Sequence, residues 1–191
     1  MAKLEIIQEP NAILRRKASL VSPDEITSPK IQKLIRDMSE TLRGIDIGIG
    51  LAAPQVGVSI ALFLVSKEAL LSKRDQEKLD AEKMKASKKS KNWKHLVFIN
   101  PEIVKSSKKK RKLVEGCLSV NDKEGNLISG FVGRLEKLTV VARDEKGKKF
   151  MRGASGLFAQ VIQHEYDHLN GVLFIDKAEK IEKMKLDDNG K

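Results

Sequence analysis

The chain has 191 residues, of which 40% are hydrophobic and 33% are charged, and its formal net charge is +11. This length suits one domain with a packed core, and the excess of positive charge favours anionic partners such as nucleic acid. No apolar run approaches the roughly 20 residues of a membrane-spanning helix, so we expect no such helix and no membrane partner.

The N-terminal segment and the cysteine content predict a cytoplasmic protein. Residues 1–21 lack the apolar core of a secretory signal, and Glu5 and Glu9 argue against a transit peptide. Cys117 is the one cysteine, so it cannot form an internal disulfide. It is either a small buried apolar residue or a reactive or metal-binding thiolate.

The first clear helix is predicted over residues 28–44. Ser28 can cap this helix, Pro29 suits its first turn, and apolar residues recur along one face. The small residues of "GIGLAAPQVG" follow at 48–57, and "VSIALFLV" at 58–65 is typical of a buried strand.

Residues 67–94 differ from the rest of the chain in composition. They contain ten Lys or Arg and five Asp or Glu, a net charge of +5, and too few apolar residues for a core. We interpret them as a basic insertion within a single domain that spans residues 1–191. The first part of the insertion is predicted to be an exposed helix, and "KASKKSKNWK" is predicted to be a mobile loop.

Strands are predicted between the insertion and the second helix. "HLVFINPEIV" and "LVEGCLSV" have strand character, and the basic turn "KSSKKKRK" at 105–112 joins them. The glycine-rich residues 125–134 are ambiguous. "KLTVVARDEKGKKFMRGAS" predicts a hairpin that turns around Glu145–Gly147.

The second strong helix is predicted over "GLFAQVIQHEYDHLNG" and ends at Asn170–Gly171. A short strand, "VLFI", and a polar helical tail are expected after it. Strands dominate and do not alternate regularly with helices, so the predicted fold class is α+β.

The second helix carries the clearest chemical signal, H-E-x-x-H. His164 and His168 are four residues apart and therefore present two imidazoles on one face, as a tetrahedral divalent metal requires. Glu165 is placed to act as a general base on a metal-activated water. Leu157 and Val161 continue the same face as an apolar wall for a substrate group.

The third metal ligand is not part of this helix motif. A metzincin protease would have a third histidine where this chain has Phe174, and Glu179 and Glu182 follow too closely for the gluzincin arrangement. His95 lies at the end of the basic insertion. Cys117 is therefore a strong candidate, because a thiolate is a suitable ligand for such a metal.

Three motifs occur together and in order: "GIGLAAPQ" at 48–55, "EGCLS" at 115–119 and "QHEYDH" at 163–168. With them the chain resembles peptide deformylases, whose members carry G-x-G-x-A-A-x-Q, E-G-C-x-S and Q-H-E-x-D-H. The resemblance covers roughly residues 5–176 outside the insertion. It implies antiparallel β-sheets packed around a central H-E-x-x-H helix, with a C-terminal helix. It also implies removal of the N-formyl group from the initiator methionine of nascent formyl-Met peptides.

The resemblance also implies roles for individual residues. Cys117, His164 and His168 would bind the metal, typically Fe²⁺, with Zn²⁺, Ni²⁺ or Co²⁺ able to take its place. Glu165 would move the proton, and the Gln55 side-chain amide and the Leu118 backbone N–H would donate hydrogen bonds to the oxyanion.

Further residues are expected to bind substrate or to support the ligands. The methionine side chain would lie against Ile49, Leu157, Val161 and His164, and Gly50 would hold the formyl end close to the backbone. Gln163 and Asp167 are candidate hydrogen-bond partners of the histidines. Glu115 would orient its loop by pairing with Arg134, Arg152 or Arg143.

The basic segments 67–94 and 105–112 have two interpretations. They are solvated charge, or they dock the protein on ribosomal RNA near the nascent chain. A basic C-terminal helix can do this in relatives, but residues 176–191 have five lysines and five acids.

Two other functions fit the sequence less well than a deformylase. A zinc endopeptidase is disfavoured by Phe174. A basic RNA-binding module with a structural metal would need neither Glu165 nor Gln55.

Overall fold

The structure is a computed structural model that describes residues 3–71 and 93–183. Within these two ranges there are two α-helices, α1, Pro29–Arg43, and α2, Gly156–Leu169. The strands, in chain order, are β1 Gly50–Ala52, β2 Leu62–Ser66, β3 His95–Ser106, β4 Lys110–Asn121, β5 Leu127–Leu135, β6 Lys137–Arg143, β7 Lys149–Ser155 and β8 Glu179–Lys183. The α+β prediction is confirmed, and α2 is the C-terminal helix of the two.

The strands form two antiparallel sheets. One sheet has the order β1-β2-β3-β6-β7, and the other has the order β4-β5-β8. Helix α2 contacts strands of both sheets, so it lies between them. Buried side chains of α2, including Phe158 and Ile162, share a core with Phe63 and Phe98 of β2 and β3. This packing fixes the helix that carries the two histidines.

Helix α1 forms as its sequence predicts. The Ser28 side chain accepts a hydrogen bond from the Ile31 backbone N–H, and Gly44 follows the last turn. The predicted apolar face is buried, and it packs against β1 and β2 through Ile31, Ile35, Met38 and Leu42.

Two predictions near the C-terminus are wrong. Residues 174–176 form a 3₁₀ turn rather than part of a "VLFI" strand. Leu173 and Phe174 are buried in a small hydrophobic cluster that also contains Cys117. The described part of the tail, Glu179–Lys183, is strand β8 rather than helix. It pairs with β5, and Lys112 contacts Glu179 across the sheet. Residues 184–191 lie outside the described ranges.

Other expectations are refined. The ambiguous residues 125–134 are largely strand β5, and the predicted basic turn at 105–112 narrows to Ser107–Lys109 between β3 and β4. Lys67–Leu70 form a short 3₁₀ turn, while the rest of the predicted insertion, residues 72–92, lies outside the described residues. No helix within 3–71 and 93–183 combines the length and apolarity needed to cross a bilayer.

Candidate metal centre

Helix α2 and strand β4 bring together three side chains that could bind a metal ion. His164 and His168 lie on one face of α2, and Cys117 extends from β4 towards them. The Cys117 Sγ atom is 3.2 Å from His168 Nε2. One donor atom from each of the three side chains falls within 4.8 Å of the other two. One sulfur and two imidazole nitrogens around a common point fit a divalent metal that keeps an open position.

A buried ionic chain holds this cluster from behind. Glu115 of β4 lies 3.1 Å from His164 Nδ1, and both Glu115 carboxylate oxygens accept hydrogen bonds from Arg134 at 2.7 Å. Arg134 also donates to Asp167 at 2.5 Å, and Lys177 donates to the same carboxylate. The side chains of Glu115 and Arg134 are each only 3% exposed. Strands β4 and β5 and helix α2 are thus tied together beside the Cys/His/His cluster.

The pKa shifts follow from burial and from these contacts. Burial acts to raise the pKa of Glu115, but hydrogen bonds from Arg134 and His164 outweigh it and lower that pKa to about 2. Burial acts to lower the pKa of His164, but hydrogen bonds with Cys117 and Glu115 raise it well above its usual value. Burial and the neighbouring His164 lower the pKa of His168 well below its usual value, which favours the neutral, ligating form. Because the raised pKa of His164 favours its protonated form, this imidazole would have to release a proton before it could bind a metal.

Glu165 is buried beside the cluster and has spare hydrogen-bonding capacity. Among the described residues, no group bonds its Oε2 atom. Burial raises the pKa of Glu165 to about 7, opposed by the charge of His164. A carboxyl group with this pKa can both accept and return a proton near neutral pH.

Gly50 makes room for the Glu165 carboxylate. A Cβ atom added at Gly50 would lie 2.8 Å from the Glu165 carboxyl carbon and closer still to Oε1. The sequence predicted Gly50 as a backbone contact for the formyl group. The structure places it on β1, against the Glu165 side chain, so a side chain at position 50 would displace Glu165.

Gln55 lies in a 3₁₀ turn, Ala53–Val56, and is 2% exposed. Its Oε1 accepts a hydrogen bond from Ala52 N–H at 2.8 Å, which fixes the orientation of the amide. Its Nε2 points towards Ser119 Oγ at 3.2 Å and Cys117 Sγ at 3.6 Å. The amide N–H groups therefore point into the centre.

A cavity of about 210 Å³ opens beside the cluster. Cys117, His164, Glu165 and Leu118 line this cavity. The residues predicted to bind substrate also line it, and they are Ile49, Gly50, Leu157 and Val161. Its surface is mostly apolar next to a few polar groups, as in small-ligand sites.

The structure places two predicted histidine partners elsewhere. Gln163 bonds the backbone of Leu135 and Ala159 instead of a histidine, and Asp167 reaches His164 only through Arg134 and Glu115. The residue that contacts His164 directly is Glu115. Of the three arginines predicted as candidates, Arg134 is the one that pairs with Glu115. Gln160 also lines the cavity, which its place one turn before His164 could have indicated.

Comparisons with known proteins agree with this geometry. The family model described as polypeptide deformylase matches residues 3–184. The chain is 40% identical over 178 residues to a peptide deformylase of Symbiobacterium thermophilum, covering 93% of this chain and 68% of that one. It is 36% identical over 180 residues to one of Christiangramia forsetii, covering 94% and 84%.

The chain belongs to the peptide deformylase family. It is therefore a metal-dependent hydrolase that removes the formyl group from N-formyl-methionine at the start of polypeptides. A solved peptide deformylase of Synechococcus elongatus in complex with actinonin has a similar fold, with a TM-score of 0.72 and 32% identity over 94% of this chain and 81% of that one.

Removal of Arg134 should destabilise this deformylase strongly. The Arg134→Met variant would leave the carboxylates of Glu115 and Asp167 buried without their main partner, at a cost of about 3–5 kcal/mol in the free energy of unfolding. The control is Arg111→Met, since Arg111 is opposite Arg134 in the β4–β5 register but is 66% exposed in its pair with Glu136. That variant should lose at most about 1 kcal/mol. The free energy of unfolding is measured with urea at matched metal content. Equal losses of this free energy in the two variants would contradict this account.

Enlarging Gly50 should impair catalysis more than metal binding. In Gly50→Ala the new methyl group displaces the Glu165 carboxylate, and we expect kcat/KM for a formyl-Met peptide to fall on the order of 100-fold. Gly133→Ala is the control, because a Cβ there meets nothing within 4 Å. Both variants should bind metal at the wild-type stoichiometry, measured by elemental analysis. Wild-type kcat/KM in Gly50→Ala would refute the role given to this glycine.

Proposed function

We propose that Cys117, His164 and His168 bind the catalytic metal of this deformylase and that Glu165 transfers the proton. The observation that carries the proposal is one buried carboxylate with an unbonded oxygen beside a Cys/His/His donor set. Fe²⁺ is the proposed physiological metal, and Zn²⁺, Ni²⁺ or Co²⁺ would also suit thiolate and imidazole ligands. When bound, such a metal polarises the formyl carbonyl and lowers the pKa of water.

The residues of the chain supply the remaining steps. Glu165 accepts a proton from the water that attacks the formyl carbon, and it delivers that proton to the leaving amine as the C–N bond breaks. The products are formate and a free N-terminal methionine. The Gln55 amide and the Leu118 backbone N–H donate hydrogen bonds to the carbonyl oxygen as negative charge develops there, and each such donor is worth roughly 2.7–4 kcal/mol.

The methionine and the following peptide occupy the cavity in an extended conformation. The apolar side chains of Ile49, Leu157 and Val161 would surround the methionine side chain, next to His164. Strand β1 ends one sheet and strand β4 ends the other, and residues of both line the cavity. An extended peptide could therefore add to an unpaired strand edge, which gives affinity through main-chain hydrogen bonds whatever the peptide sequence.

The domain and compartment proposals follow from this function. Residues 67–94 are proposed to be an insertion in one deformylase domain over residues 1–191. The protein is proposed to act in the cytoplasm, because its substrates are newly made polypeptides and because the Cys117 thiol must stay reduced to bind metal.

Substitutions at Glu165 and Cys117 should separate catalysis from metal binding. Glu165→Gln should keep the metal but lose at least a hundredfold in kcat on a formyl-Met peptide, because the proton carrier is gone. Cys117→Ser should lose metal affinity as well, since the soft sulfur ligand is replaced. Activity and metal content are measured on protein purified anaerobically with Fe²⁺. Full activity of Glu165→Gln, or unchanged metal affinity of Cys117→Ser, would contradict the assignment.

We further propose that the basic segments 67–94 and 105–112 contact ribosomal RNA. The second segment forms an exposed hairpin end, where Lys109 and Arg111 pair with Glu136 while Lys108 and Lys110 are exposed. Phosphate contacts of this kind weaken as salt increases.

Deletion of residues 67–94 should therefore reduce the fraction of protein that co-sediments with ribosomes. It should also make that fraction less dependent on salt concentration. The paired substitution Lys146→Gln and Lys148→Gln, in the exposed β6–β7 turn, removes positive charge elsewhere and should change neither. Wild-type ribosome binding by the deletion variant would refute the contact.

A further inference from the structure

The two proposed oxyanion donors belong to separate elements of the fold. Leu118 lies in β4, whereas Gln55 lies in the 3₁₀ turn that follows β1, a strand of the other sheet. The Gln55 Nε2 atom is 3.2 Å from Ser119 Oγ, so the two elements meet at this point. Both donors must approach one carbonyl oxygen to about 2.7–3.1 Å. The separation of the turn and β4 therefore matters for catalysis.

Two backbone hydrogen bonds connect the N-terminal segment to both elements. The Ile7 N–H donates to Gln55 C=O at 2.8 Å, and the Glu9 N–H donates to Ser119 C=O at 2.9 Å. Residues 7–9, which we call the brace, therefore cross from the turn to β4. Each end of the crossing is fixed to the main chain of one element.

The middle residue of the brace, Gln8, bonds the proposed donor residue of β4 through its side chain. Its Nε2 donates to Leu118 C=O at 2.9 Å and, over a longer distance of 3.2 Å, to Ile6 C=O. Its Oε1 accepts a hydrogen bond from Asn121 Nδ2 at 3.0 Å, which fixes the orientation of the amide. Leu118 is thus held through its carbonyl group, on the residue whose N–H is the proposed donor.

The same contact also bears on the Cys/His/His cluster. The Leu118 carbonyl and the Ser119 N–H belong to one peptide group, and that N–H donates to Cys117 Sγ at 3.4 Å. A peptide group is planar, so a hydrogen bond to its carbonyl oxygen also restrains the direction of its N–H. Gln8 therefore restrains the peptide group that contacts the Cys117 sulfur.

An ion pair holds the last residue of the brace. Arg15 donates to the Glu9 carboxylate at 2.9 Å and to the Asp176 carboxylate at 2.5 Å. Asp176 in turn accepts a hydrogen bond from the Leu173 N–H at 2.8 Å. Leu173 is fully buried in the hydrophobic cluster that contains Cys117. The brace is therefore anchored to a packed part of the fold.

We propose that the brace sets the position of the Leu118 N–H relative to the Gln55 amide, and that Gln8 is a positioning residue for deformylation. The described residues that line the cavity do not include Gln8, so it acts through Leu118 and not on the substrate. The inference rests on the proposed roles of Gln55 and Leu118 as oxyanion donors. Because the oxyanion develops only in the transition state, a misplaced donor lowers kcat and leaves KM nearly unchanged.

The test replaces Gln8 by side chains that remove or keep its N–H donor. Gln8→Met has a similar length and no donor, and its kcat on a formyl-Met peptide should fall about fivefold, as expected for one neutral hydrogen bond. Its KM should stay within about twofold of the wild-type value. Gln8→His presents a neutral ring N–H at a similar distance and should restore most of the lost kcat. All proteins are compared at equal metal content.

Asn121 provides a second variant that acts on the same contact. Asn121→Ala frees the Gln8 amide to rotate and should lower kcat about twofold. Because Asn121 acts through Gln8, the double variant should have the kcat of Gln8→Met alone, whereas independent effects would multiply. Gln32→Met is the matched control, since Gln32 also donates to two main-chain carbonyls, those of Ile26 and Glu145, and should keep the wild-type kcat.

Amide hydrogen exchange of the metal-loaded protein gives a readout that does not depend on turnover. In Gln8→Met the Ser119 N–H should exchange about threefold faster than in the wild type, because its peptide group has lost one restraint. Gln32→Met should leave this exchange rate unchanged. The urea midpoint of Gln8→Met should equal that of Gln32→Met, which separates positioning from a general loss of stability.

A wild-type kcat in Gln8→Met would overturn the proposal, and so would an equal loss of kcat in Gln8→His. A loss that appears in KM alone would also overturn it. Gln55→Ala tests the assignment on which the proposal rests, and its kcat should fall on the order of 100-fold. A wild-type kcat in Gln55→Ala is a different result, which would overturn the proposed oxyanion donors themselves.

Discussion

The position of His164 depends on a guanidinium group that is buried among carboxylates. Arg134 of β5 bonds both oxygens of Glu115 on β4 and one oxygen of Asp167 on α2, and Glu115 in turn contacts His164 Nδ1. Burying these charges costs free energy that their attraction offsets only when the geometry is good. What the arrangement contributes is orientation, because the bidentate pair with Arg134 fixes the Glu115 carboxylate and that carboxylate in turn holds the His164 imidazole. Strands β4 and β5 of one sheet are thereby held in a fixed alignment with helix α2 beside the Cys/His/His cluster.

Two terminal strands, β1 of one sheet and β4 of the other, border the cavity beside this centre. Strand β1 supplies Gly50, whose missing side chain leaves space for Glu165, and strand β4 supplies Cys117. An exposed edge is a liability in most proteins because it can pair with any strand. In this enzyme two glutamine side chains, Gln8 and Gln160, bond carbonyl groups of β4. A strand edge that recognises the main chain suits a catalyst that must accept many different polypeptides at a common first residue.

Local patterns in the sequence predicted the features that depend on local geometry. The spacing of His164 and His168 is a property of one helix, and the capped, one-sided helix α1 is also visible from its own residues. The partner of Glu115 could not be chosen among three arginines, because register between distant strands decides it. The Lys and Glu residues of 179–183 favour a helix by their intrinsic preference, but main-chain pairing with β5 makes this segment strand β8 in the structure. The close contact between Gly50 and Glu165 is not predictable from local sequence either, because the two residues meet only in the folded chain.

The central claim, that Cys117, His164 and His168 together bind the metal, is tested most directly by X-ray absorption spectroscopy of the Zn²⁺-loaded protein. The account predicts a first coordination shell with one sulfur at about 2.3 Å and two imidazole nitrogens at about 2.0–2.1 Å, completed by oxygen. The sulfur contribution should disappear in Cys117→Ser. A shell of nitrogen and oxygen without sulfur in the unsubstituted protein would contradict the account.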